Sequence, residues 1–401
     1  MKPREKIQSL DTELRISVII PAFNAASYLS ETLDSLVNQS HVSEILLVDD
    51  YSTDDTFQLI TQYTQRYSHI HSFQNDVNLG VSFSRNKAIH AASSDWVLFM
   101  DADDVAREDL SEKLIGELLR LKSTLPAQPW HLIYPAYLQI NQHGNKIYGV
   151  IRGRQLDFRD AFGYEILRNL IMSPSGVMVS KQALLDVGGF PVKHHISEDW
   201  YLWLKLAQTG AFGYVDEPLV MIRRHPSNTT NYINKVINAE LEVLRNFNLL
   251  DIEKAIMRRR ETFEQNRADF AAILQRLGYW HQADEVLQSI SADKQTEAGW
   301  FYNALGAIHL KHWQEAKTSL RNLIECNPNN PAALNNLAIL FYMDNEYEKA
   351  ADLLQYAIGL QPNYLDAIAN LGLLKSTQIA TINQFKWSTR ILRPNLVHYQ
   401  G

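Results

Sequence analysis

The chain has 401 residues, a length that suits two or three hydrophobic cores rather than one. Apolar residues make up 46% and charged residues 21%, the balance of a soluble globular protein. The formal net charge of −7 excludes a general basic field for nucleic acid, although a local basic patch stays open, and the single cysteine, Cys326, excludes an internal disulfide framework and any multi-cysteine metal site.

The N-terminus, "MKPREKIQSLDTELRISVII", is charged and lacks the apolar run of a signal peptide. No stretch approaches the roughly 20 apolar residues that cross a bilayer. The expectation is a cytoplasmic protein without a transmembrane segment, with peripheral contact at the inner face of the membrane left open. Residues 1–13 read as a tail.

Elements then alternate. "ISVII" (16–20) reads as a buried strand, and "SYLSETLDSLVNQ" (27–39) has a helical apolar period at Tyr28, Leu29, Leu33, Leu36 and Val37. "EILLVDD" (44–50) is a second strand, followed by a helix over 54–67. "HIHSF" (69–73) is a third strand, "VSFSRNKAIHAA" (81–92) a helix and "WVLFMD" (96–101) a fourth strand. This alternation predicts an α/β domain with a mostly parallel sheet covered on both faces, whose ligands gather at the carboxyl ends of the strands. "PAFN", "VDDYSTDD" and "DADD" all fall at such ends. Further on, "WHLIYPAYLQI" and "KIYGVI" read as paired strands. A helix is expected near 157–170 and an extended run at "SGVMVS" (175–180). "SEDWYLWLKLAQTG" (197–210) reads as a helix capped by Ser197 and closed by Gly210. The first domain is placed at 14–231.

From residue 232 the composition turns helical, and 232–263 reads as a helical linker. A repeat then emerges. Ala316 and Ala350 lie 34 residues apart, as do Pro328 and Pro362, and Ala283 stands 33 before Ala316. A helix–turn–helix period of this length, with small residues at the crossings and proline after the second helix, resembles tetratricopeptide arrays. The resemblance covers 264–375 and ends in mid-copy at "AIANLGLLK". The tail 376–401 is expected to cap the exposed last face through Ile379, Ile382, Phe385 and Trp387, unless a second subunit does so.

The chemistry concentrates in the first domain. Asp101 and Asp103 flank a small residue at the end of an apolar strand, an arrangement that costs repulsion unless a cation is near. Mg²⁺ or Mn²⁺ takes carboxylate oxygens and commonly substrate phosphates as well. Structural alternatives stand beside this reading: Asp104 suits the cap of a helix beginning near Val105, and Asp54, Glu198 and Asp199 suit the positive ends of their own helices.

"SVIIPAFNAASYLSETLDSLVNQ", "EILLVDDYSTDDT", "NLGVSFSRNKAI", "WVLFMDADD", "VGGF", "SEDWYLWLKLAQTG" and "RRHPSNTTN" follow the order and spacing of the family 2 glycosyltransferases of the GT-A fold, which positions 14–231 resemble. The resemblance implies a UDP-sugar donor and an inverting displacement. Pro21 and Phe23, with Asn24 in the same turn, match positions framing the uracil, and Asp50 matches the carboxylate that receives a uracil hydrogen bond. Asp101 matches the acid near ribose and metal, Asp103 the direct metal ligand, and His225 a position near metal and diphosphate. Asp199 matches the general base, with Glu198 orienting it or the acceptor. Arg85, Arg223 and Arg224 are candidates for additional charge on the diphosphate, or for structural ion pairs. One departure is Tyr51, where the family usually has glycine.

The expected function is therefore metal-dependent hexosyl or N-acetylhexosaminyl transfer to a glycan of surface polysaccharide or lipopolysaccharide. The alternatives are a peptide or protein acceptor recognised through the repeats, and a non-catalytic repeat scaffold. The repeats are expected to bind a protein partner or a second copy of the chain.

Overall fold

The computed structural model describes residues 14–147, 149–193, 196–226, 228, 233–376 and 381–390. One compact unit ends at Asn248 and a second begins at Leu249.

The first unit is built on an eight-stranded sheet. Strand β1 (Ile16–Ala22) is buried at every residue, as an apolar run must be when both faces of a sheet are covered. It pairs in parallel with β2 (Val42–Asp49) and β4 (Trp96–Phe99), and β2 pairs in parallel with β3 (Ile70–Gln74). Helices α1 (Leu29–Asp34), α2 (Thr56–Arg66) and α3 (Val81–Ala91) make the crossovers. The remaining elements are β5 (Val105–Ala106), α4 (Leu110–Thr124), β6 (Trp130–Asn141), α5 (Ala161–Glu165), β7 (Met178–Ser180), α6 (Lys181–Val187), α7 (Glu198–Ala207), β8 (Ala211–Arg224) and α8 (Ile233–Arg245). The spatial order is β3-β2-β1-β4-β7-β6-β8-β5. Chain order reverses between β1 and β4, which opens a crevice at their carboxyl ends.

All four expected parallel strands form. Other elements differ from expectation. No helix begins near Val105; that segment is β5, paired antiparallel with β8, and α4 starts only at Leu110. Asp104 is therefore not a helix cap. "KIYGVI" meets β6 only at isolated bridges, Tyr137–Ile151 and Ile140–Lys146, because β6 is already engaged in parallel with β8 and antiparallel with β7. The helix expected over 157–170 shortens to α5. Helix α7 forms as expected, but Ser197 makes no capping hydrogen bond and adopts φ 61°. Gly210 closes the turn behind α7 where a Cβ would lie 1.9 Å from the His131 ring.

The segment expected as a helical linker divides between the units. In α8, Val243 and Leu244 are fully buried, and Phe247 meets the rings of Phe162 and Tyr201 at 5.5 and 5.9 Å. The second unit contains α9 (Leu249–Met257), α10 (Phe263–Arg276), α11 (Trp280–Gln288), α12 (Glu297–His309), α13 (Trp313–Cys326), α14 (Pro331–Met343), α15 (Tyr347–Leu360) and α16 (Leu365–Lys375). Helices α10, α12, α14 and α16 begin 34 residues apart. Ala283, Ala316 and Ala350 are fully buried, as close helix crossings require. Of the tail, Phe385 is buried, and Ile382 and Trp387 pack beside it against the last repeats. Ile379 lies outside the described residues.

Candidate active site

The carboxyl ends of β1 and β2 are tied to each other. Pro21 is buried within β1, and the chain then turns through Asn24 at φ 49°. The Asn24 amide donates to Ser52 Oγ at 2.9 Å, and its side-chain oxygen accepts from the Thr53 amide at 2.8 Å. Asp54 Oδ1 accepts from the Thr56 amide at the start of α2, the helix-end role open to it from sequence. Phe23 and Tyr51 stand exposed at the ends of these adjacent strands, 49% and 51% accessible. Tyr51 has φ 67°, the left-handed backbone that explains why glycine is usual there.

Asp50 departs from expectation. It is 3% exposed, and its carboxylate accepts from Asn75 Nδ2 at 2.8 Å and from the Leu79 and Gly80 amides at 2.9 and 2.7 Å. With both oxygens engaged inward, it fixes the loop entering α3 and does not face a base-binding surface.

Arg85, on α3, joins two elements that the sequence separates by about a hundred residues. Its guanidinium donates through Nη2 to Asp101 Oδ1 at 2.7 Å and through Nη1 to Glu198 Oε1 at 3.0 Å. It lies over the Phe190 ring at 4.9 Å and is 3% exposed. Burial alone would lower its pKa, but Asp101, Glu198 and Asp199 outweigh this and hold it above its ordinary value. The expected role of Arg85 as a free cation for diphosphate is thus corrected: both arms are spent on carboxylates. Arg223 is likewise structural. Its Nε donates to the Asp103 carbonyl at 2.8 Å and its Nη2 pairs with Glu31 at 2.6 Å, with 2% of its side chain exposed. Arg224 meets the carboxamide oxygen of Gln139 at 2.9 Å when that amide is oriented by its hydrogen bonds.

The acid turn after β4 is held from beneath. Asp104, 2% exposed, accepts from the Arg223 amide at 2.7 Å and from Ser175 Oγ at 2.5 Å, while Ser175 Oγ accepts from the Asp101 amide at 2.9 Å. Burial first, then the neighbouring Asp103 and Asp101, raises the Asp104 pKa well above the carboxylate range. Asp103 and Asp101 keep 23% and 30% of their side chains exposed. Asp103 Oδ2 lies 2.8 Å from His225 Nε2, and the His225 ring stacks on Tyr28 at 5.2 Å.

These contacts bear on the expected metal ligands. Asp103 and His225 are adjacent, but Asp101 turns one oxygen to Arg85. Among the described residues no three His, Cys, Asp or Glu side chains are arranged as a metal-holding group. The carboxylate oxygens are of the kind Mn²⁺ or Mg²⁺ accepts beside phosphate oxygens, and an imidazole nitrogen among the donors favours Mn²⁺ over Mg²⁺.

Glu198 and Asp199 begin α7. Asp199 Oδ1 accepts from the Trp200 amide at 2.7 Å, and Oδ2 meets Asn169 Nδ2 at 3.4 Å. Its pKa is pushed up to about 7, by burial first and then by Glu198, against the lowering effects of the Trp200 amide, Arg85 and Asn169. A carboxylate near neutrality is suited to take a proton. Asn169, Ser175 and Phe190, which orient this cluster, carry no sequence signal that would have singled them out.

Two family models match the chain: Glycosyl transferase family 2 over residues 17–184 and a tetratricopeptide repeat over 319–351. A Bacillus subtilis (strain 168) glycosyltransferase assigned to teichuronic acid biosynthesis, TuaG, is 28% identical over 201 residues, 50% of this chain and 74% of that protein. A poly(ribitol-phosphate) beta-glucosyltransferase of Bacillus spizizenii is 40% identical over 95 residues, 23% of this chain and 15% of that protein. The crystal structure of S. aureus TarS 1–349 in complex with UDP-GlcNAc aligns with a TM-score of 0.47 and 17% identity, over 88% of this chain and 92% of that one. Residues 17–184 form a family 2 glycosyltransferase domain, and a tetratricopeptide-like region follows it in the chain.

Proposed function

We propose that the protein transfers a sugar from a UDP-sugar to an acceptor hydroxyl of a cell-surface polysaccharide, inverting the anomeric centre. The observation that carries the reading is the Asp101–Arg85–Glu198 bridge. It ties the acid turn after β4 to the start of α7, where Asp199 sits with a pKa near neutrality. Ionised Asp199 removes the proton of the acceptor hydroxyl. The acceptor oxygen bonds to the anomeric carbon as the bond from that carbon to the diphosphate oxygen breaks, and UDP leaves with the electron pair. Glu198, fixed by Arg85, positions the base. Phe23, exposed at the end of β1, offers a ring face to the uracil.

Asp103 and His225, with Asp101 beside them, would hold a divalent cation, which would supply positive charge at the leaving diphosphate. A surface-polysaccharide acceptor is supported by the two Bacillus relatives. The test is calorimetry with UDP, with and without Mn²⁺, on the parent and on Asp103→Ala. Metal-enhanced binding in the parent, lost in the variant, is expected; equal UDP affinity in both would remove Asp103 from the donor site.

A further inference from the structure

Glu165 is a fully buried acid that the proposed reaction does not use. It ends α5, and both its carbonyl and its carboxylate lead toward the base. The carbonyl accepts from the Trp200 indole Nε1 at 2.9 Å, and Trp200 stands next to Asp199 on α7. The carboxylate Oε1 accepts from the Leu170 amide at 3.1 Å. Within the same turn, Asn169 Oδ1 accepts from the Ile171 amide at 3.1 Å. That bond fixes which end of the Asn169 carboxamide is nitrogen. The nitrogen end meets Asp199 Oδ2 at 3.4 Å.

The oxygens of Asp199 are thereby distinguished. Oδ1 accepts from the Trp200 amide at 2.7 Å, so the helix that carries the base holds that oxygen itself. Oδ2 meets Asn169 alone among the described residues. A carboxylate oxygen has a lone pair for each of two donors, so Asn169 on one side leaves the other to an acceptor hydroxyl. A separation of 3.4 Å is long for such a bond, and catalytic hydrogen bonds of this kind tighten in the substrate complex. The charged groups around Asp199 come from several elements. Glu198 is its neighbour on α7, and Arg85 reaches in from α3. Glu165, on α5, gives its carboxylate to Leu170, and α6, which also packs on α7, turns Lys181 to the Ala92 carbonyl and Asp186 to Gln182. Asn169 is the neutral member of this surround, and by donating to the carboxylate it supports the ionised form.

We propose that Glu165 and Asn169 are positioning residues for the base: Glu165 locks the turn 166–171 to α7, and through that turn Asn169 aims Asp199 Oδ2 at the acceptor hydroxyl. Their role in transfer rests on Asp199 being the base. Without Asn169 the carboxylate is held at Oδ1 only and turns freely about its last bond. Without the Glu165 oxygen the Leu170 amide loses its partner, and the turn that presents Asn169 loosens.

The titration of Asp199 is read without turnover. Urea stability is measured over about pH 5 to 9 for each full-length protein with and without Asp199→Asn added, and the pH at which the difference levels off marks the titration of Asp199 in the folded chain. In the parent the difference grows with pH and levels off above about 7. Asn169→Ala loses a donor to the carboxylate, so its difference should level off at a pH higher by about half a unit or more. Asn169→Asp sets a second acid against Oδ2 and should move it further. Turnover of Asn169→Ala should fall about 10-fold, with its acid limb displaced the same way and UDP affinity by calorimetry parental. Glu165→Leu should behave as Asn169→Ala does, and Glu165→Gln, which keeps an oxygen for the Leu170 amide, should recover most of the loss. Asn169→Ala with the parental levelling pH or parental turnover, or Glu165→Gln impaired as far as Asn169→Ala, overturns the proposal; both comparisons stand whether or not Glu165→Leu folds. No turnover by the parent with any UDP-sugar would instead defeat the transfer reaction, and the levelling pH would still decide whether Asn169 holds Asp199.

Discussion

Replacing Asp199 by Asn should make the protein more stable and less active, and the stability gain should grow with pH. The side chain sits among Glu198, Arg85, the Trp200 amide and Asn169, and its pKa rises from an ordinary 3.8 to about 7. Between those values the folded chain binds a proton that the unfolded chain has released, so the stability of the parent falls as pH rises, and levels off above about 7. A shift of this size corresponds to about 4 kcal/mol if the carboxylate were wholly removed from water. Asp199 keeps some solvent contact, which reduces the figure to about 2 kcal/mol at pH 8. Asparagine carries no charge to desolvate and can still accept from the Trp200 amide. Urea denaturation of parent and variant should therefore show a gap of about 2 kcal/mol at pH 8 that narrows to about 1 kcal/mol or less at pH 5. Turnover at pH 8 should fall by about 10² or more, and parental turnover should rise through about pH 7 as Asp199 ionises. A variant less stable than the parent at pH 8, or a gap independent of pH, would refute the burial argument.

Arg85→Met leaves Asp101 and Glu198 facing each other without their shared cation; it should cost about 3 kcal/mol by urea denaturation and reduce turnover more than UDP affinity. Tyr51→Gly should relieve the left-handed backbone and raise stability by about 1 kcal/mol, while a loss of UDP affinity in the same variant would place the exposed ring at the donor. Ala316→Leu overfills a fully buried helix crossing and should lower the melting transition of the repeats by an amount corresponding to about 1–3 kcal/mol.

The parallel core was legible because buried strands write themselves as unbroken apolar runs, and the repeats because a fixed 34-residue period leaves its mark on alanine and proline. The antiparallel half was harder. Strand β5 has two residues and depends wholly on β8, more than a hundred positions on, for its partner. The site was legible as a set of residue types but not as a set of partners. Arg85 reads either as a cation for the diphosphate or as a structural ion pair, because nothing local announces that Asp101 and Glu198 both reach it. Asp50 looked available because a strand-end carboxylate reads the same whether it faces a crevice or, as here, the loop amides of Leu79 and Gly80. Asp104 suits a helix cap by local rules, but its contacts with Ser175 and the Arg223 amide override them, while Ser197 stands at the N-cap of α7 with a left-handed backbone and no capping hydrogen bond.

The central claim is sugar transfer from a UDP-sugar through Asp199. It is tested most directly by following UDP release from a panel of UDP-sugars, with Mn²⁺ present, by the parent and by Asp199→Asn. The account predicts release from at least one donor by the parent and its loss in the variant, with UDP binding unchanged between the two. Release that survives in Asp199→Asn at the parental rate, or no release and no UDP binding by the parent with any donor, would contradict it.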